Sequence, residues 1–191
     1  MLFAENKVVI FCFISAIAGV GRYGLLTWIP TYFTESMGLS IKVGIVSAVL
    51  LPVGQACAEF AFPFITDKVF SGRREPMLIF ASITTFLGML LFTYVETQIL
   101  ASITLLVVGM FSMIDGVIWA VAGDMGGRTF TSTVVGVLDW AVYMGAAIQA
   151  VCFGYVKDIF GWDAIFVTIG CLYILMLVLT LKVRNMKMQK M

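Results

Sequence analysis

VVIFCFISAIAGVGRYGLLTWIPTYFT, residues 8–34, holds one formally charged side chain, Arg22, near its middle. As a helix the stretch is long enough to cross a bilayer, for which about 20 predominantly apolar residues suffice. Arg22 lies about ten residues from either end, so at ~1.5 Å per residue its side chain does not easily reach an interface. A guanidinium at that depth costs from about 3 to more than 10 kcal/mol. Arg22 is therefore expected to face a polar cavity and to bind an anion there.

The remainder of the chain has the same character. Of its 191 residues 61% are hydrophobic and 12% charged, sixteen are Phe, and apolar runs recur throughout. A soluble domain would alternate polar and apolar faces far more often, so the composition predicts an integral membrane protein. Polar interruptions cut it into six spans, about 8–34, 40–66, 77–95, 98–121, 131–155 and 163–182. Helices are the expected form, because in lipid a helix satisfies its backbone polar groups within itself. The run after Lys7 is too long for the apolar core of a cleavable signal, so the first span is expected to stay in the mature chain. Pro30, Pro52 and Pro63 fall inside spans and are expected to kink or end helices. Ala141 and Gly145, with Gly136 before them, suggest close helix approach.

The charges give an orientation. With the N-terminus in the cytoplasm, the inner side receives Lys7, Lys68, Arg73, Arg74, Arg128, Lys182, Arg184, Lys187 and Lys190, and the outer side keeps Lys42 and Lys157. Both termini are thus expected inside. The basic tail from Lys182 to Lys190 anchors this topology and can also attract anionic lipid.

Several classes of function are excluded by composition. There is no His, the four cysteines Cys12, Cys57, Cys152 and Cys171 stand in apolar stretches without CxxC spacing, and no Ser or Cys has a plausible base beside it. The cysteines read as small core residues, and neither an enzyme, a metal site, a cofactor nor a nucleic-acid partner is expected. The longest hydrophilic loops run only about ten residues, which leaves residues 1–191 as a single six-helix transmembrane domain.

One such loop, Asp67-Lys-Val-Phe-Ser-Gly-Arg-Arg-Glu75, resembles the Asp-Arg-x-Gly-Arg-Arg signature of the major facilitator superfamily. Lys68 replaces the usual Arg, an extra residue precedes Gly72, and Pro63 stands where the signature's leading Gly would be. Arg22-Tyr-Gly-Leu-Leu-Thr-Trp-Ile-Pro-Thr-Tyr32 and Gly154-Tyr-Val-Lys-Asp-Ile-Phe-Gly-Trp-Asp163 are similar to the seventh helix, and to the turn between the eleventh and twelfth, of the organophosphate:phosphate antiporters. That branch imports glycerol 3-phosphate or hexose phosphates in exchange for inorganic phosphate. The resemblance implies an all-α membrane fold of six transmembrane helices, helices seven to twelve of a twelve-helix transporter, built from two inverted three-helix repeats. It implies a bacterial-type plasma (inner) membrane location, a gating role for Asp67, Arg73 and Arg74, and alternating access as the mechanism.

It also implies site residues. In the family an arginine at the position of Arg22 helps clamp the substrate's phosphate with a second arginine from the other half, which agrees with the planar donor fork of a guanidinium. The alternative is an arginine paired with a carboxylate for structural reasons. Tyr143-Met-Gly-Ala146 resembles the eleventh-helix pattern in which a tyrosine faces the central cavity, where its hydroxyl could bond an anion or a sugar; packing alone is the other reading. Thr27 either lines the same cavity or bonds its own backbone.

Glu59, Asp115 and Asp139 depart from the family pattern. Each lies roughly eight residues from the cytoplasmic end of its span, about 12 Å deep and shallower than Arg22. Asp139 and Tyr143 are spaced to share a helix face. One carboxylate, Asp139 or Asp115, is protonated during transport or counterbalances Arg22 without substrate; or all three pair with bases on the missing half.

The expected partners are an organophosphate, inorganic phosphate, membrane lipid, and either a separate N-terminal six-helix half or a second copy. A sugar-phosphate sensor of the same family and a truncated, inactive product are the competing readings.

Overall fold

In a computed structural model, which describes residues 6–184, the chain is all helix apart from its turns. The helices are α1 Asn6–Glu35, α2 Ile41–Ala48, α3 Leu50–Lys68, α4 Glu75–Phe92, α5 Gln98–Ser112, α6 Asp115–Phe160 and α7 Trp162–Arg184. Of the expected charges, Lys187 and Lys190 lie outside the described residues.

Five stretches are long and apolar enough to cross a membrane, and one of them, Gln98–Phe160, is 63 residues. A straight helix of that length would run ~95 Å, about three times the hydrocarbon thickness. It turns at Gly127, whose φ of 55° and ψ of −153° are not helical. A Cβ on Gly126 would lie 2.5 Å from the backbone of Thr131, so the chain folds sharply here. Gly127 thus separates two crossings, 115–126 with α5 before it and 128–160 after it, and the chain crosses six times.

The expected spans 40–66 and 98–121 are not single helices. Residues 41–68 break at Val49, three residues before Pro52, whose missing N–H cannot bond the preceding turn. The 98–121 span breaks at Met113 (φ −95°, ψ 95°) and Ile114 (φ −119°, ψ 12°), directly before Asp115. The carbonyl of Ser112 that this break frees accepts the Tyr173 hydroxyl at 3.2 Å, deep in the bundle. Gly21 of α1 makes room for that hydroxyl, since a Cβ there would meet it at 2.5 Å.

Two close crossings hold the bundle. α1 runs alongside 128–160, from Ala16 and Gly145 to Glu35 and Lys157. α3 runs alongside α5 and 115–126, from Leu51 and Gly109 to Pro63 and Gly116. In the first, a Cβ on Gly19 would strike the Val142 carbonyl and one on Gly145 the Ala16 carbonyl. In the second, a Cβ on Gly109 would strike Leu51 and one on Gly54 would strike Leu106. Ala16 and Gly19 therefore stand to Val142 and Gly145 as Leu106 and Gly109 stand to Leu51 and Gly54. The first crossing span meets the fifth as the fourth meets the second, which is the geometry of two inverted three-helix repeats. Gly136, expected at a crossing, has nothing within 4 Å.

α4 and α7 pack antiparallel on the outside of these pairs. Tyr32, Phe92, Phe166 and Trp162 form an aromatic cluster with ring centroids 4.8–5.5 Å apart, mostly edge-on, which ties α1 to α4 and α7. Cys57, Cys152 and Cys171 are exposed and Cys12 half-buried, and none is bridged. That corrects the expectation of core cysteines: a membrane helix can be apolar all round, so an apolar run does not separate the core face from the outer face.

Candidate functional site

The Met113–Ile114 break starts α6 with Asp115 at mid-bundle, where the Arg22 Nη1 of α1 donates to its Oδ2. The Asp115 side chain is 4% exposed and that of Arg22 26%. An ion pair so placed is held by shape as well as charge, because either partner alone would leave an uncompensated charge away from water. Arg22 Nε and Asp115 Oδ1 are buried without a hydrogen-bond partner among the described residues.

Two tyrosines complete this side. The Arg22 guanidinium lies 5.0 Å from the ring centre of Tyr23, a cation–π distance. The Tyr23 ring is in turn 5.7 Å from that of Tyr143, which is 55% exposed. Asp139, one turn before Tyr143, is half-buried and close enough to Asp115 to repel it. Glu59 of α3 interacts electrostatically with both Asp115 and Arg22, and its Oε2 is buried without a partner among the described residues. Gly116 lets α3 approach here, since a Cβ would sit 2.9 Å from the Pro63 ring and 3.2 Å from the Glu59 carbonyl.

Helices distant in sequence thus bring together Arg22, Asp115, Glu59, Asp139 and Tyr143. One cation faces three carboxyl groups. Thr27 is exposed. Tyr23 was not anticipated, although it adjoins Arg22. Gln149 was also missed; it is buried in the apolar run of 128–160 and accepts from the Trp28 indole at 3.1 Å.

The 67–75 loop forms a second polar centre. Gly72 (φ 77°) and Ser71 (φ 51°) adopt left-handed backbone and turn the chain. Arg74 donates to Asp67 at 2.5 Å and to Asp124 at 3.2 Å, so one guanidinium ties the end of α3 and the start of α4 to residues 115–126. Partial burial opposes the charge of Arg74, but the hydrogen bonds and fields of the two carboxylates prevail and raise its pKa above the ordinary value. Arg73 is exposed and takes no part in this bridge. Asp124 has no counterpart in the sequence reading; its place opposite the loop follows from the parallel run of the second and fourth spans.

Lys7, Arg73 and Arg184 line one pocket, so the two described chain ends share a membrane face with the 67–75 loop. At the opposite face Lys157 donates to Glu35 at 3.2 Å.

A model of the Major Facilitator Superfamily matches residues 11–189. A glycerol-3-phosphate transporter of Bacillus subtilis (strain 168) is 27% identical over 154 residues, covering 76% of this chain and 34% of that protein. The chain therefore spans about a third of the length of this relative.

Proposed function

The chain belongs to the major facilitator superfamily, a family of transport proteins and not of enzymes, and from that premise we propose that it carries an organophosphate such as glycerol 3-phosphate across the membrane in exchange for inorganic phosphate. The observation that carries this reading is the mid-bundle Arg22–Asp115 pair beside Tyr23 and Tyr143; the similarity to a glycerol-3-phosphate transporter supports it.

Without substrate, Asp115 is the counter-ion of Arg22. An arriving phosphoryl group offers Arg22 two oxygens in place of one carboxylate oxygen, and a guanidinium fork matches that geometry. Tyr143 donates its hydroxyl to the anion from the exposed side. Asp115 then loses its partner, and either a proton or a second base must compensate it, with Glu59 and Asp139 close by.

One arginine supplies +1 against about −1.5 to −2 on a phosphomonoester. The site is therefore completed by an N-terminal six-helix half, or by a second copy, facing the Arg22 surface. Substrate between the two halves lowers the barrier to rocking them, and the Asp67–Arg74–Asp124 bridge closes in one state and opens in the other. The lysine and arginine distribution supports cytoplasmic chain ends, and the similarity to a Bacillus subtilis transporter supports a bacterial-type inner membrane location.

The test is exchange of labelled for unlabelled inorganic phosphate in proteoliposomes, with glycerol 3-phosphate as competitor, for the wild-type protein and Arg22→Lys. Exchange that falls at least about tenfold in Arg22→Lys supports the reading. Equal exchange in the two proteins refutes Arg22 as the phosphate ligand. Saturable phosphate binding without flux points to the sensor reading.

A further inference from the structure

A pocket of about 760 Å³ opens beside the 67–75 loop, remote from Arg22. It lies between the first turn of α1, residues 121–125, the start of α4 and the last turn of α7, with Lys7, Arg73 and Arg184 at its rim. Arg74 also reaches it but is engaged by Asp67 and Asp124. Arg73 and Arg184 are exposed and form no ion pair among the described residues. The lining holds two acids, Asp124, which is bonded to Arg74, and Glu75.

The other walls are apolar. Phe70, Phe80 and Val183 line the pocket, and Phe80 is 57% exposed. Phe80 continues into the outer face of α4, where Ile83 and Leu87 are also exposed, whereas Val183 is itself buried. The pocket thus joins a cationic rim at the end of the helices to an apolar surface that extends along α4 toward the membrane middle. A free anion would use only the rim. An acidic peptide would leave the aromatic wall unused.

We propose that this pocket binds one anionic phospholipid of the adjoining leaflet, with Arg73 and Arg184 gripping its phosphate, Lys7 contributing field, and Phe70 and Phe80 receiving the start of an acyl chain. Arginine forks suit phosphate oxygens, and basic clusters at a membrane surface select anionic headgroups. The site does not depend on what the transporter carries. A lipid seated here touches α1, α4 and α7 together and so ties the ends of α1 and α7, which the Arg74 bridge does not reach, to α4.

The experiment is native mass spectrometry of the full chain released from nanodiscs of phosphatidylcholine doped with phosphatidylglycerol. Wild type is expected to retain a phosphatidylglycerol molecule in preference to phosphatidylcholine. Arg73→Gln/Arg184→Gln should weaken that retention by about fivefold per charge removed. Lys68→Gln/Arg128→Gln removes the same charge from the same face outside the pocket and should change it by less than about twofold. Equal losses in the two double variants would mean diffuse attraction and overturn the proposal. Displacement of the lipid by millimolar glycerol phosphate would assign the rim to free anions and overturn it as well. Both pairs are surface residues, and an unchanged melting temperature in detergent excludes misfolding as the cause of any loss.

Discussion

Asp115 and Arg22 stand 93 positions apart in the chain and meet as the ion pair that links α6 to α1 in the middle of the bundle. The two spans they come from are the first of each inverted repeat, so the pair fixes one repeat against the other.

Removing either partner leaves the other charged and poorly solvated. Asp115→Ala should cost about 3–5 kcal/mol, measured by thermal unfolding in detergent. Arg22→Gln/Asp115→Asn should be less destabilised than the sum of its single variants, because the pair acts as a unit. Simple additivity would show that the pair contributes nothing to folding.

The counter-ion role has a separate signature. Asp115→Asn keeps the size of the side chain but releases Arg22, so phosphate should bind more tightly and exchange more slowly, since the anion no longer has a competitor on the return half of the cycle. Equilibrium binding beside exchange rates decides this. Weaker binding in Asp115→Asn would instead mean that Asp115 orients Arg22 for its ligand.

The four crossing glycines make a symmetric prediction. Gly19→Val and Gly109→Val occupy corresponding places in the two crossings, and each puts side-chain atoms where a backbone carbonyl already lies. Both should lower stability by more than about 3 kcal/mol, beyond ordinary overpacking, because helix backbones adjust less than side chains. Gly136→Val, with open space around it, should be tolerated within about 1 kcal/mol. Monodispersity on gel filtration and melting temperature give the comparison.

The Arg74 bridge should affect rate more than affinity. Asp124→Asn removes one of its two anchors at a partly exposed site, so it should cost about 1 kcal/mol or less in stability. Its effect on exchange should appear in the maximal rate, with half-saturation nearly unchanged. A shift confined to half-saturation would place Asp124 with the substrate and not with the gate.

The spans were legible because lipid forces every backbone amide into a helix, so long apolar runs translate directly into crossings. Arg22 was conspicuous for the same reason: a charge in such a run demands a partner. Which partner was not legible, since pairing over 93 positions depends on how the helices pack. The break before Asp115 has no Pro or Gly at Met113 or Ile114 to announce it. The outward cysteines could not be told from core ones, because in a bilayer both environments are apolar. The crossing glycines were partly visible, yet Gly145 and Gly136 differ only in what faces them.

The break at Met113–Ile114 has a further effect on the charge of the site. A helix that starts inside the bundle presents the positive end of its dipole there, worth roughly half an elementary charge and lost within the first turn. Here that end belongs to Asp115 and Gly116, next to Arg22. Screening by salt, which weakens such a dipole at a water-exposed helix end, is slight at this depth. The negative end of α5 lies across the same break and cancels part of this field, although the Tyr173 hydroxyl donates to its Ser112 carbonyl; both ends of the backbone dipole therefore stand beside the ion pair, with the N–H end at Asp115.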